Sequence, residues 1–252
     1  MKINFLFRVC INISKKILPE SFFYFFYKKT GMRKYNNIEK NSLDTKFSLI
    51  YKQGIWSPEG VKGDFYSGTG SHDLNIVIPY TKAVIKFLEN YDKKLDVVDL
   101  GCGDFNVGSK LRPYTNNYIA CDIVKELIER NKIKYCNSGV EFDLINIVDD
   151  ELPDGEIVFI RQVLQHLSNA DILNIIPKLY KYKFLILTEH IPNNFNFIPN
   201  KNFTSGPSIR LERNSGVVIT APPFNLIFKE KKEIFSIQEG CGNIVTILYT
   251  LK

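Results

Sequence analysis

The residues best suited to chemistry lie in Asp96-Val-Val-Asp-Leu-Gly-Cys-Gly-Asp-Phe-Asn-Val-Gly108, where Asp99 and Asp104 flank Gly101 and Gly103. Val97, Val98 and Leu100 read as a short buried strand. The glycines read as a tight turn that lets a ligand approach the backbone, with a helix opening behind it. Two acids beside such a turn disfavour a diphosphate and favour an amine or a sulfonium. The third glycine of a Gly-x-Gly-x-x-Gly pattern would fall at position 106, which is Asn106, and this counts against a dinucleotide. Asp122 closes the next apolar run, where a carboxylate can accept both hydroxyls of a ribose. That role serves a nicotinamide or an adenosyl cofactor equally, and a helix N-cap is the plainer alternative.

The chain has three histidines, His72, His166 and His190. His166 follows the fourth expected strand and is the first choice for a general base or substrate contact, because imidazole takes a proton near neutral pH. The plainer role is capping or packing. His190 ends the fifth strand beside Glu189, and the two could orient one another. His72 belongs to a glycine-rich loop and is expected to position it. Arg161 ends the fourth strand after an apolar run, so burial there demands an anionic partner, either a structural acid or a phosphate or carboxylate of the substrate. Arg210 poses the same question with more exposure, and its fork suits bidentate oxyanion recognition.

Elements that must position these side chains alternate along the chain. Apolar, β-branched strands are expected at 97–100, 118–121, 140–144, 157–160 and 184–187, with helical spacing at 124–132 and 170–180. A helix over 74–91 precedes them, with Pro79 either kinking it or marking its start. This alternation predicts an α/β fold with a doubly wound parallel sheet, whose ligands sit at the carboxyl ends of the strands. Two further strands at 233–238 and 244–251 read as a closing antiparallel hairpin, which makes seven in all. Between them and the fifth strand, residues 191–228 are rich in Asn and Pro with little periodicity; with Asn200, Gly206 and Pro222-Pro-Phe224 they are placed to form a substrate lid. The stretch Gly54–Asp73 holds the only Trp, Trp56, among five glycines, and reads as an ordered covering loop.

Residues 1–45 differ from the rest and form an amphipathic or helical extension with a linker, leaving 46–252 as the main domain. The first 27 residues are aromatic, aliphatic and basic, but Arg8, Lys15, Lys16 and Glu20 interrupt any span of a bilayer. Residues 1–30 therefore read either as a peripheral contact with an anionic membrane or as an arm packed on protein. The 252 residues are 44% hydrophobic and 24% charged, as in globular chains, so disorder is not the default. A net charge of +6 without a dense Lys/Arg block gives no reason to expect nucleic acid. Five cysteines, an odd number with no Cys-x-x-Cys pair, argue against a disulfide framework or a zinc ribbon and suit a reducing cytoplasm. No metal is expected.

Val-Val-Asp-Leu-Gly-Cys-Gly (97–103), Tyr-Ile-Ala-Cys-Asp (118–122) and the block Leu152–Ser168 together resemble the class I S-adenosylmethionine-dependent methyltransferases, with a Rossmann-like sheet. More narrowly, Ser67-Gly-Thr-Gly-Ser71, Cys102-Gly-Asp-Phe-Asn106, Arg161…His166-Leu-Ser168 and Pro222-Pro-Phe224 resemble bacterial methyltransferases of surface-polysaccharide (capsule) modification. The resemblance implies S-adenosyl-L-methionine as cofactor, with Asp99, Gly101 and Gly103 at its methionine end and Asp122 on its ribose. Asn146 would stand where the family commonly places an adenine-binding Asp, with Asp143 as rival. Gln162 would lie against the cofactor, and Gly70 and Ser71 would close over the methionine carboxylate.

Taken together, these residues lead to O-methylation of a small-molecule, nucleotide-linked or glycan acceptor, with a phosphate- or phosphoramidate-bearing group as one option. His166, His190 and Arg161 are the catalytic candidates, and Phe105, Asn106, Glu189 and Arg210 the acceptor contacts. The alternatives are a nicotinamide-dependent oxidoreductase on the same sheet and a non-catalytic, membrane-associated binding protein. Amino-methylation of nucleic acid is disfavoured, since no Asn-Pro-Pro-Tyr or Asp-Pro-Pro-Tyr motif occurs.

Overall fold

The computed structural model describes residues 41–58, 64–194 and 196–252. The N-terminal extension over 1–40, with its proposed membrane contact, and part of the covering loop lie outside the described residues. Ser42–Lys252 form one compact unit.

The sheet has seven strands: β1 (Val97–Leu100), β2 (Tyr118–Asp122), β3 (Glu141–Leu144), β4 (Ile157–Arg161), β5 (Phe184–Pro192), β6 (Glu230–Glu239) and β7 (Gly242–Thr250). Their order is β3-β2-β1-β4-β5-β7-β6. The first five are parallel, while β7 lies between β5 and β6 and runs antiparallel to both. β1 is buried at every position, as a strand covered on both faces must be. Apolar residues form one cluster on each face of the sheet. Expected strand positions hold closely except for β5, which continues past Leu187 to Pro192 because nine consecutive residues pair with β7. That continuation carries Glu189 and His190 to the ligand edge.

The helices are α1 (Leu43–Lys52), α2 (Leu74–Leu88), α3 (Gly108–Leu111), α4 (Lys125–Lys134) and α5 (Asn169–Leu179). Helix α2 starts ahead of Pro79, because the Asp73 carboxylate accepts the free Asn75 N–H at 2.8 Å and caps it. A reciprocal capping box between Ser168 and Asp171 opens α5 just after the His166 turn. Helix α1 begins at Leu43, inside the stretch expected to be linker: Leu43, Phe47 and Ile50 bring an apolar stripe to the body of the domain. Among the described residues, no helix is long and apolar enough to cross a membrane.

Candidate active site

A cavity of about 520 Å³ opens at the carboxyl ends of the strands. Its walls come from α1 and Trp56, the 67–71 loop, the β1 and β2 ends, the β3–β4 connection, the β4 turn, the 207–212 segment and the β6–β7 hairpin tip.

The β1 end is built as its sequence suggests. Gly101 and Gly103 have φ of 76° and 57°, a region that costs an L side chain. A Cβ at Gly101 would sit 2.4 Å from Val163 Cγ2, and one at Gly103 2.4 Å from Ser67 Oγ, so close packing also demands glycine. Asp99 is buried, and its Oδ2 accepts the Tyr118 hydroxyl at 2.8 Å. Asp122 accepts Gly103 N–H at 3.0 Å and Val124 N–H at 3.1 Å, so its carboxylate both shapes the glycine turn and caps the approach to α4. Burial pushes each of these carboxyls up to about 6, against opposing hydrogen bonds. Both line the cavity, where each carboxylate keeps further lone pairs.

Asp104 also lines the cavity but has a different task. Its Oδ2 meets His72 Nε2 at 2.5 Å and accepts Ser67 N–H at 3.0 Å, while Oδ1 accepts Asn106 N–H at 3.1 Å. The His72 ring stacks on Tyr66 with centroids 4.1 Å apart. This acid fastens the covering loop to the glycine turn, and His72 positions that loop. Asn106 adds a second tie, donating from Nδ2 to Ser71 O at 2.7 Å. It faces this junction and not the main cavity, so it does not fit the acceptor contact expected of it. Phe105 does not fit that role either. It is fully buried among Tyr118, Tyr135 and Phe142, and Gly108 is the residue whose missing Cβ makes room for its ring.

Gly70, Ser71, Arg161 and Gln162 come together on the cavity wall. Arg161 donates to Gly70 O at 2.5 Å and Ser71 Oγ at 3.2 Å and lies over the Tyr80 ring at 4.7 Å. Its Nε is buried without a hydrogen-bond partner. These contacts use Arg161 as a hydrogen-bond donor; desolvation lowers its pKa from a starting value far above neutrality. Gln162 adopts φ of 56° and hands its N–H to Thr188 O at 2.7 Å. Asn146 also lines the cavity, but its side chain closes a local turn: Oδ1 accepts Val148 N–H at 3.0 Å and Nδ2 donates to Asp149 at 2.7 Å. The rival Asp143 lies on β3 outside the cavity walls.

His166 also lines the cavity, in the turn Leu164–His166 after β4. Its ring lies 4.9 Å from the Trp56 ring, and its Nδ1 is 3.3 Å from Ser208 O. A carbonyl only accepts, so Nδ1 carries the proton and Nε2 keeps a lone pair, which has only a long 3.4 Å contact with Gln165 Nε2. Desolvation lowers the pKa to about 4, so the ring is neutral across the physiological range and a weaker base than an exposed imidazole, with its Nε2 lone pair unprotonated.

Glu189 and His190 do not orient one another, because successive strand residues point to opposite faces. His190 reaches the hairpin tip, with Nε2 3.0 Å from Glu239 O and 3.5 Å from Glu239 Oε2, and lines the cavity. Glu189 is buried and accepts Leu164 N–H at 3.1 Å. Arg210, expected to be more exposed than Arg161, is instead fully buried behind the His166 turn. Neither Glu189 nor Arg210 lines the cavity, which corrects their expected role as acceptor contacts. From the 191–228 segment it is Pro207, Ile209, Leu211 and Glu212 that do so, whereas Asn200 holds the segment together by donating to Val218 O and Pro222 O at 2.9 Å each. Trp56, Glu212 and Glu239 are cavity residues that sequence reasoning missed as such; a lone Trp in a glycine-rich loop was the only signal among them.

No protein-family model and no curated protein matches the chain. Solved structures do match it in fold. The N-methyltransferase NodS from Bradyrhizobium japonicum WM9, in complex with S-adenosyl-L-homocysteine, superposes with a TM-score of 0.53 at 11% identity, covering 72% of this chain and 92% of that one. The chain has the Rossmann-like methyltransferase fold. The N-terminal domain of EvdMO1 with SAH bound gives 0.53 at 13% identity over 81% of this chain and 96% of that one. Magnesium protoporphyrin IX methyltransferase (ChlM) from Synechocystis PCC 6803, with bound SAM, gives 0.50 at 14% identity over 83% and 100%. At such identities the likeness is one of fold. The antiparallel β7 between β5 and β6 also separates this sheet from the dinucleotide-binding order 3-2-1-4-5-6.

Proposed function

We propose that the chain is an S-adenosylmethionine-dependent methyltransferase that O-methylates a small-molecule or glycan-linked acceptor. One observation carries this reading: the glycine turn with Asp99 and Asp122 opens onto a single large cavity in a sheet that has β7 between β5 and β6. The residues fit the cofactor. The unpartnered, buried Nε of Arg161, beside Gly70 and Ser71, suits its carboxylate. Asp99 suits the ammonium, and Asp122 the ribose hydroxyls. Gln162 and the Asn146 turn supply polar groups farther along the wall. When bound, S-adenosylmethionine supplies a methyl group already activated on a sulfonium. The chain's own work is to align the acceptor, exclude water and receive its proton, and alignment alone can lower the barrier by about 7–11 kcal/mol. His166 Nε2 takes that proton; His190, paired with Glu239, lines the same end of the cavity as a second polar contact.

The quoted motifs support an acceptor in surface-polysaccharide (capsule) synthesis. EvdMO1, one of the fold neighbours, was also crystallised in the presence of SAH and D-fucose. A phosphate- or phosphoramidate-bearing acceptor would find only one Arg or Lys among the described cavity residues, Arg161, and its terminal nitrogens are committed to Ser71 and Gly70. A sugar hydroxyl is therefore the acceptor we favour. The odd cysteine count, with Cys102, Cys121, Cys136 and Cys241 all free, supports a cytoplasmic setting. Calorimetry tests the cofactor: S-adenosylhomocysteine binds and NAD does not, and the reverse result overturns the proposal. Mass spectrometry of surface glycans from cells with and without the protein tests the acceptor through a lost methyl.

A further inference from the structure

Three buried side-chain atoms among the described residues have no hydrogen-bond partner: Arg161 Nε, Glu189 Oε2 and Arg210 Nε. The first belongs to a residue of the cavity wall. The other two lie behind that wall and flank the turn that carries His166.

Arg210 grips both ends of that turn. Its Nη1 donates to Leu164 O at 2.9 Å, and Nη2 to Leu167 O at 2.7 Å and to Asn169 Oδ1 at 2.8 Å. The guanidinium lies over the Phe203 ring at 4.7 Å, so its orientation is set by packing as well. Glu189 holds the start of the same turn by accepting Leu164 N–H at 3.1 Å. The segment that delivers Arg210 also delivers Ser208, whose carbonyl faces His166 Nδ1, and Gly206, whose N–H donates to His166 O at 2.9 Å. One buried guanidinium therefore fixes the imidazole's backbone and the carbonyl that selects its tautomer.

We propose that Arg210 and Glu189 are positioning residues for His166: together they lock the Leu164–Leu167 turn against the 205–210 segment, so that the ring carries its proton on Nδ1 and presents an unprotonated Nε2 to the cavity. The buried guanidinium stays because a fork is needed to reach two carbonyls three residues apart in sequence, which an ammonium cannot do. This rests on the catalytic reading of His166 given above, but the tautomer itself is measurable with no acceptor in hand.

The test uses the full-length chain labelled with ¹⁵N-histidine, with and without S-adenosylhomocysteine. Wild type is expected to show His166 as one Nδ1–H tautomer. R210K keeps the charge but not the fork, R210M removes the charge, and E189Q replaces the carboxyl with an amide. In each, the His166 ring shifts are expected to move toward a tautomer mixture, and its modification by diethylpyrocarbonate to speed up by about tenfold, most in R210M and least in E189Q. S-adenosylhomocysteine affinity is expected to stay within about twofold of wild type. The ring shifts of His72 report whether the rest of the fold persists, and R210K serves where R210M does not fold. Unchanged His166 tautomer and reactivity in a folded R210K or R210M overturns the proposal, as does a matching loss of S-adenosylhomocysteine affinity. Failure of the wild-type chain to bind S-adenosylhomocysteine overturns the cofactor reading instead.

Discussion

The two ends of the cavity are built by different means. At the β1–β2 end, backbone conformation does the work within a short stretch of chain: two left-handed glycines, a carboxylate on each strand and one N–H handed from Gly103 to Asp122. At the far end, side chains from remote segments converge, with Trp56 before β1, His166 after β4, Glu212 from the 207–212 segment and Glu239 from the hairpin tip. The first arrangement is set by local sequence. The second depends on tertiary packing and can change residue by residue while the glycine turn stays intact.

The largest expected effect tests whether the two ends separate. His166→Ala should lower turnover by roughly 10²- to 10⁴-fold, the usual worth of a general base, with S-adenosylhomocysteine affinity unchanged by calorimetry. A parallel loss of affinity would show the two ends to be one unit. Asp122→Ala is the converse. Loss of charge-assisted hydrogen bonds should cost about 1.5–3 kcal/mol of cofactor binding, roughly a tenfold to hundredfold weaker Kd, with thermal melting still cooperative. Full affinity in that variant would remove Asp122 from the ribose role.

A smaller effect sharpens the contrast through pH. Burial raises the Glu189 carboxyl from 4.5 to about 8, so the folded chain holds a proton that the unfolded chain releases. Stability falls as pH rises through that window. Asp99 and Asp122 act in the same direction, but only up to about 6. His166, lowered to about 4, acts in the opposite direction below 6.5. Between pH ~6.5 and ~8 Glu189 is the group of these four that still titrates, contributing up to about 1.4 kcal/mol per pH unit. Glu189→Gln should flatten the pH dependence of Tm there, and an unchanged slope would assign it to other groups.

Legibility in the sequence follows the same division. The seven strands, the glycine turn and Asp122 could be read because each is encoded locally, by β-branched runs, by glycines and by a strand-end acid. Helix α1 was hidden in a polar stretch whose few apolar residues matter only once packed. Phe105, Asn106, Glu189 and Arg210 lay near the right motifs and carried the right chemistry, yet their side chains point into the core or the supporting shell. Sequence position reports which loop a residue belongs to; the direction in which it points is decided by neighbours tens of residues away, as Asp104 is by Ser67 and His72, or Arg210 by Leu164 and Leu167.

The antiparallel course of β7 carries a consequence for how such a protein diversifies. At the ligand edge, the loops after β1, β2 and β4 each lead toward a helix, so lengthening them disturbs helix packing. The β6–β7 turn at Gly240–Cys241 is instead a short reversal at that same edge, and its strand β7 is tied to β5 by nine paired residues. Insertions or exchanges there leave every crossover untouched. The tip is thus the natural graft point for altering that edge of the cavity, by drift or by design, without rebuilding the glycine turn and the parallel strands.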